Sequence, residues 1–169
     1  MLYRLYAPQD FDVLYALEKV WFEPPFRFSR GTMRYLIQSP NTATWIAEEQ
    51  GRMVGFAIVV WTKPKSRAPS DGPSLSGSNA EVSAYIQTIE VAPEARRRGV
   101  GRQLLAHIEG SARAAGARLI GLHVEAENSR ATRLYEAQGY ICRGKRENYY
   151  PQGRAALVYV KPLDSGAGN

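Results

Sequence analysis

Apolar residues recur along the chain at helical or strand spacing, and prolines and glycines separate the successive runs. Near the N-terminus, Leu14, Leu17 and Trp21 share one face of a predicted helix. We expect this helix to extend from about Phe11 to Phe22, with Asp10 as its N-cap. The proline pair that follows cannot lie inside a helix, so a turn is predicted there.

A short second helix is predicted near Thr32 to Gln38, because Pro40 disfavours helical geometry in the residue before it. Two strand-like runs follow, Thr44 to Glu48 and Met53 to Trp61, and the four residues between them are typical of a hairpin turn. Residues 62–79 are rich in serine, proline and glycine, which predicts a mobile loop.

The second half of the chain alternates between strand and helix patterns. The predicted strands are Ser83 to Val91, Leu119 to Val124, Tyr140 to Tyr150 and Ala155 to Val160. The predicted helices are Val100 to Ala115, with Gly116 as a C-cap, and Ser129 to Gln138, closed by Gly139. This order predicts one mixed α/β domain over residues 1–163, with a βαβ unit, followed by a flexible tail at 164–169.

Composition and charge narrow the class of protein. The chain has 169 residues, of which 44% are hydrophobic and 22% charged, as in one globular domain. The single cysteine, Cys142, excludes a disulfide framework and a cysteine-based metal centre within one chain, and fits a reducing, cytoplasmic compartment. We expect no membrane span and no signal peptide, because no apolar run is long enough. The net charge of +6 favours anionic partners.

A basic, glycine-containing segment carries the clearest chemistry. The strand that ends at Val91 is followed by Arg96-Arg97-Arg98, and Gly99 and Gly101 then allow close backbone approach at the start of a helix. Free amides at a helix N-terminus, together with arginine donors, suit a pyrophosphate. A P-loop would need Gly-Lys-Ser/Thr there, and a dinucleotide fingerprint would need glycine where Leu104 stands. From this pattern alone, a solvated basic turn that caps a helix remains an alternative.

Residues 83–160 together resemble the GNAT superfamily of acetyl-CoA-dependent N-acetyltransferases. The family's motif R/Q-x-x-G-x-G/A reads Arg96-x-x-Gly99-x-Gly101 here. The family's Asn, with Tyr seven positions later, reads Asn128 and Tyr135, and Gly139-Tyr140 matches its usual Gly-Phe/Tyr. The resemblance implies a mixed, mostly antiparallel sheet of six to seven strands with about four helices, and acetyl-CoA as co-substrate without a metal.

Further motifs resemble the N-terminal (Nα) acetyltransferases. Asn148-Tyr149-Tyr150 before a glycine turn is similar to the tyrosines that line their peptide entrance. RimI-type enzymes carry a glutamate base where this chain has His123, which with Tyr85 instead resembles the Tyr and His pair of San-type enzymes. The segment Trp21-Phe22-Glu23-Pro24-Pro25-Phe26 loosely resembles their Phe-Pro loop, although Glu23 separates Phe22 from Pro24.

The resemblance implies a role for each motif. His123, with Tyr85, would act as base for direct attack by an amine, and Tyr135 would protonate the leaving thiolate. The implied acetyl-CoA contacts are Ile89, Glu90, Val91, Arg96, Arg97, Arg98, Gly99, Val100, Gly101, Arg102, Asn128 and Tyr135. The implied acceptor contacts are Phe22, Pro24, Pro25, Tyr85, Tyr149 and Tyr150.

The acceptor is expected to be a protein or peptide N-terminus, for instance that of a ribosomal protein. At pH 7 roughly a tenth of free α-amines are neutral, against ~0.04% of lysine amines, so a histidine suits the former as base. Two alternatives stay open: acetylation of a lysine or small amine, and a non-catalytic acetyl-CoA-binding or ribosome-associated module. Neither a membrane nor direct nucleic-acid binding is required, and the oligomeric state is not predicted.

Overall fold

The structure is a computed structural model that describes residues 1–22, 26–62 and 82–163. Within these ranges, seven strands form one mixed sheet, flanked by four α-helices. The strands are β1 (Leu2–Leu5), β2 (Thr42–Glu49), β3 (Arg52–Trp61), β4 (Val82–Val91), β5 (Ala117–Glu125), β6 (Ile141–Arg146) and β7 (Ala156–Pro162). The helices are α1 (Phe11–Trp21), α2 (Arg30–Gln38), α3 (Val100–Ala114) and α4 (Ser129–Ala137). The expected mixed, mostly antiparallel α/β fold is confirmed.

The sheet has one parallel contact, between β4 and β5, in the order β1-β2-β3-β4-β5-β7-β6. The crossover that joins these two strands contains α3 and completes the predicted βαβ unit. Their pairing ends at Tyr85 and Gly121, although β4 continues to Val91 and β5 to Glu125. Next to this point the register between β3 and β4 skips Gln87, which forms a bulge that bends β4. The carboxyl halves of β4 and β5 therefore diverge.

Both faces of the sheet are covered, because side chains of the central strands alternate between them. On β3, Ala57 and Val59 face the cluster that contains Leu104 and Ile108 of α3. Phe56 and Ile58 face the opposite cluster, which contains Leu14 of α1 and Met33 of α2. The layers on both faces of the sheet hold the central strands in place up to the end at which β4 and β5 diverge.

The N-terminal region differs from the prediction in two respects. The edge strand β1 was not predicted, because its apolar residues Leu2 and Leu5 are 55% and 56% exposed and leave no alternation to read. The Asp10 side chain does not cap α1 as predicted. Its carboxylate instead accepts hydrogen bonds from the Arg4 guanidinium at 2.7 and 2.9 Å and from the Ala7 amide at 2.8 Å.

Several predictions fall outside the described residues. They concern Pro24 and Pro25, the tail at 164–169, and all of the loop at 62–79 except Thr62. Among the described helices, none combines the length and apolarity that crossing a bilayer requires.

A buried carboxylate joins α3 to the last strands of the sheet. Glu109 accepts hydrogen bonds from the Tyr140 hydroxyl at 2.9 Å and from the Lys161 ammonium at 3.0 Å to each oxygen. Its side chain is 7% exposed and also pairs with Arg113 at 3.3 Å. The interaction holds the chain that follows Gly139 against α3.

We expect Glu109→Ala to lower the free energy of unfolding by about 3 kcal/mol, because it leaves the Lys161 charge and the Tyr140 hydroxyl without their shared partner. Urea denaturation measures the change. The control is Glu147→Ala, which breaks the exposed pair with Lys145 and should change stability by less than about 1 kcal/mol. Equal effects of the two variants would contradict the prediction.

Candidate active site

A cavity of about 1040 Å³ lies where β4 and β5 diverge. The arginine turn and the start of α3 form one end, α4 forms a wall, and residues after β6 form the other end. It is lined by the following residues of the predicted site: Phe22, Tyr85, Ile89, Glu90, Val91, Arg96, Arg97, Gly99, Val100, Gly101, Arg102, His123, Asn128, Tyr135, Tyr149 and Tyr150. Residues from five separate parts of the sequence thus meet around one space.

The start of α3 has the geometry of an anion site. Gly99, the N-cap, has a φ of 81°, and the first helical hydrogen bond runs from the Gln103 amide to the Gly99 carbonyl at 3.0 Å. The amides of Val100 to Arg102 precede that bond and have no acceptor in the helix. A Cβ on Gly101 would lie 3.3 Å from the Leu134 side chain, so glycine permits close packing of α3 on α4. Donors and helix dipole therefore face the cavity.

The arginines of the turn have different environments. Arg96 donates from Nε to the Val91 carbonyl at 2.9 Å and lines the cavity, as do Arg97 and Arg102. The Arg98 side chain does not line it: its guanidinium pairs with Glu49 of β2 at 2.5 and 3.0 Å. This guanidinium ties the turn to the β2–β3 hairpin, so the acetyl-CoA contact expected at Arg98 would be made by its backbone amide.

At the opposite end, Tyr85 of β4 and His123 of β5 are hydrogen-bonded, with 2.9 Å between the Tyr85 hydroxyl and His123 Nδ1. The Tyr149 ring is stacked on the imidazole, with 4.5 Å between the ring centroids and 3° between the ring planes. Burial, followed by the charge of Arg146, lowers the pKa of His123, so its ring is neutral at pH 7. Burial, followed by the influence of Tyr149, raises the pKa of Tyr85, which stays a phenol. The neutral imidazole can accept a proton.

Tyr135 and Asn128 belong to the α4 wall. Tyr135 is 7% exposed, and its ring packs against those of Tyr140 at 5.5 Å and Tyr159 at 6.3 Å. Burial, followed by the charge of Glu90, raises the pKa of Tyr135, so it carries its proton at neutral pH. Asn128 Oδ1 accepts from the Ala131 amide at 3.2 Å and caps α4, which leaves its amide nitrogen as the group that can bind a ligand.

Sequence reasoning missed an aromatic contact at the cavity mouth. Phe26, from the connection between α1 and α2, packs edge-on against Tyr150 at 5.0 Å. The Arg154 guanidinium lies over the Phe26 ring at 5.3 Å, and Tyr150 packs edge-on against Tyr149 at 4.9 Å. The signal available in the sequence was the position of Phe26 directly after the proline pair.

The interaction between two carboxyl groups, Glu90 in the cavity lining and the buried Glu18 beside it, was also not recognised. Glu90 was predicted only as a cofactor contact, and Glu18 of α1 was given no role. Burial, followed by the charge of Glu18, raises the pKa of Glu90 to about 8. Among the described residues, no cluster of three or more histidine, cysteine or acidic residues could hold a metal ion.

Residues 12–140 match the acetyltransferase (GNAT) family. The chain belongs to this family and is an N-acetyltransferase. An uncharacterized N-acetyltransferase of Methanocaldococcus jannaschii is 26% identical over 169 residues, which are 99% of this chain and 96% of that protein. The ribosomal protein bS18-alanine N-acetyltransferase of Salmonella typhimurium is 35% identical over 83 residues, which are 47% of this chain and 56% of that protein.

Solved structures share the whole fold. NAA60 of Arabidopsis thaliana, in complex with acetyl-CoA, has a TM-score of 0.81 at 22% identity, covering 96% of this chain and 98% of that one. At this identity the likeness shows the fold alone. The ribosomal-protein-S18-alanine N-acetyltransferase of Escherichia coli has a TM-score of 0.75 at 26% identity, covering 99% of this chain and 96% of that one.

We expect Arg146→Gln to raise the pKa of His123, because it removes a positive charge that disfavours the imidazolium. An NMR titration of the imidazole resonances measures the change. Arg143→Gln, which removes an exposed charge from the same strand, is the control. An unchanged His123 titration in the Arg146 variant would mean that this charge does not reach the ring.

Proposed function

We propose that this N-acetyltransferase moves acetyl from acetyl-CoA to the free α-amino group of a protein or peptide N-terminus. The observation that carries the proposal is the Tyr85–His123 hydrogen bond beneath the stacked Tyr149 ring, inside a cavity whose other end is an anion site. The names of relatives support it: the Salmonella typhimurium enzyme acts on the alanine of a ribosomal protein.

The donor groups that line the cavity support acetyl-CoA as its ligand. The pyrophosphate of acetyl-CoA would bind the backbone amides from Arg98 to Arg102, with the side chains of Arg97 and Arg102 adding charge. The pantetheine arm would run along the diverging half of β4, where the backbone beyond Tyr85 has no partner strand in β5. Asn128 would bind the arm from the other wall. The thioester would then lie near Ile89 to Val91, where a strand N–H can polarise its carbonyl.

The directions in which the pKa values of His123 and Tyr135 are shifted indicate which of these groups accepts a proton and which donates one. A neutral His123 takes a proton from the attacking amine, directly or through a water that Tyr85 orders. Tyr135 gives its proton to the thiolate. From a phenol at ~10 to a thiol at ~8.5 this transfer is uphill by about 2 kcal/mol. Burial beside Tyr135 would also raise the pKa of the coenzyme A thiol, because it disfavours the charged form of both groups. The difference between the two pKa values therefore stays small enough for the proton transfer.

The acceptor would enter past the aromatic mouth. Phe22, Tyr149 and Tyr150 line the cavity there and would surround the first residue, whereas the predicted roles of Pro24 and Pro25 remain predictions outside the described residues. A protein N-terminus, for instance that of a ribosomal protein, is the proposed partner, and a cytoplasmic location is part of the same proposal.

A peptide library that varies the first residue, incubated with acetyl-CoA and read by mass spectrometry, tests the function. Acetylation confined to free α-amines supports the proposal. Transfer only to lysine side chains or to small amines would overturn it. Binding of coenzyme A without turnover, measured by calorimetry, would point to the non-catalytic module instead.

We expect Tyr135→Phe to lower kcat by about 10²-fold while leaving the Kd for acetyl-CoA nearly unchanged, because only the proton donor is lost. Steady-state kinetics and calorimetry measure the two quantities. Tyr140→Phe is the matched control, since that hydroxyl is bound to Glu109 and supports the fold. Loss of affinity in proportion to turnover would remove the acid role of Tyr135.

We expect His123→Ala to lose most activity near pH 7 and to regain part of it at higher pH, where more of the acceptor amine is neutral without a base. A pH series of kcat/KM measures this change. Tyr85→Phe should lower activity in the same direction but less, because it removes only the hydroxyl beside His123 Nδ1. A pH profile parallel to that of the wild type in His123→Ala would count against the base role.

A further inference from the structure

Glu125, the last residue of β5, lines the same cavity as His123. The pairing of β5 with β7 is regular from Leu119 to Glu125, so alternate residues of β5 point to the same face of the sheet. Leu122 and Val124 are buried in the cluster on the α3 side, and His123 and Glu125 therefore point to the opposite face. Positions two residues apart on a strand are separated by about 7 Å, so the imidazole and the carboxylate are neighbours.

The tyrosines at the cavity mouth lie at the same end as this pair. The Tyr149 ring is stacked on the His123 ring, with 4.5 Å between their centroids, and packs edge-on against Tyr150 at 4.9 Å. Burial, followed by the influence of Tyr149 and then by the charge of Glu125, raises the pKa of Tyr150 to about 12. The base, the two rings and the Glu125 carboxylate therefore surround one part of the cavity.

The Glu125 side chain is half-buried, and its carboxylate has no hydrogen-bond or ion-pair partner in the described part of the chain. The strand register places Arg146 of β6 on the same face, across Ala156 of β7, yet no ion pair within the described ranges joins it to Glu125. A half-buried carboxylate without a partner is partly desolvated and can still accept hydrogen bonds from a cation. Glu125 is therefore available to a ligand in the cavity.

Most of the charge around the cavity is positive. The described lining includes seven arginines but two glutamates, Glu90 and Glu125. Burial, as the larger cause, raises the pKa of Glu90 to about 8, so this group is mainly a neutral acid at pH 7. The lining therefore repels a cation except near Glu125, and that exception lies beside His123.

The acceptor of an N-acetyltransferase reaches the enzyme mainly as a cation. At pH 7 roughly nine-tenths of free α-amines are protonated, and lysine amines are protonated almost completely. An ammonium group has three N–H donors and forms hydrogen bonds of about 2.8 Å to a carboxylate. One ammonium nitrogen can therefore contact a carboxylate and an imidazole that point the same way from positions two residues apart on a strand.

We propose that Glu125 binds the ammonium group of the acceptor and holds it against His123. The inference rests on the proposed transfer to an amine and names the group that recognises this amine. Because a carboxylate also stabilises the protonated form of its partner, Glu125 contributes to binding of the acceptor rather than to the rate of the chemical step.

The protons balance with Glu125 ionised throughout. The acceptor nitrogen loses its first proton to His123, which passes it to solvent, and the neutral nitrogen then attacks the thioester carbon. The nitrogen loses its second proton after the C–N bond has formed. This second proton balances the one that Tyr135 gives to the sulfur when the C–S bond breaks.

The test compares two peptides without charged side chains, one with a free α-amine and one in which a hydroxyl group replaces that amine. Calorimetry in the presence of coenzyme A, which carries no acetyl group to transfer, measures the two Kd values. The wild type should bind the amine about tenfold more tightly than the hydroxyl analogue, because only the ammonium offers a charge to Glu125. Equal affinities overturn the proposal without any variant.

Glu125→Gln keeps the size of the side chain and removes its charge. It should weaken binding of the amine about tenfold and leave the hydroxyl analogue, the Kd for acetyl-CoA and the Tm unchanged. A merely structural role would weaken both peptides by the same factor, and that result overturns the proposal. Glu127→Gln, which changes an exposed carboxyl two residues further on that does not line the cavity, is the matched control.

Steady-state kinetics give a second measurement. Glu125→Gln should raise the KM for the acceptor about tenfold and change kcat much less. A fall in kcat at unchanged KM overturns the binding role. If only a lysine side chain or a small amine accepts acetyl, the proposed function fails, but the same pair of amine and hydroxyl compounds made for that acceptor still tests Glu125.

Discussion

The separation of β4 from β5 beyond Tyr85 and Gly121 is the constraint on which the site depends. A parallel pair that stayed together would use the backbone donors and acceptors of both strands and leave no space between them. The bulge at Gln87 and the end of pairing instead leave the carboxyl half of β4 bonded only to β3 on one side. The cavity, the anion site at its end and the Tyr85–His123 pair near the branch point all follow from this geometry.

The parts of the site that sequence reasoning predicted are local in the chain. The glycine turn at the start of α3 is recognisable from spacing within a few residues, because a helix start is a short-range structure, whereas Asn128 and Tyr135 were identified through the resemblance to a known family. Most fold elements were predicted for the same reason, and the hairpin between β2 and β3 is an example, with Gln50 and Gly51 both at positive φ. The predicted roles of these residues in catalysis remain to be measured.

The missed features depend on which distant residues the register brings together. The partner of the Arg98 side chain was not predicted, because only the position of Glu49 across the sheet determines where this guanidinium binds. The Glu18–Glu90 proximity arises from the packing of α1 over Phe56, which no spacing in the sequence encodes. β1 was missed because an exposed edge strand needs no alternation of apolar and polar residues.

The edge-on contact of Phe26 with Tyr150 has a geometric consequence for the acceptor. It joins two connections more than a hundred residues apart in the sequence, and both rings line the cavity that also contains His123. If the acceptor of the proposed reaction reaches His123 beneath this contact, a free chain end can be inserted there, whereas the interior of a folded chain would first have to separate the two rings.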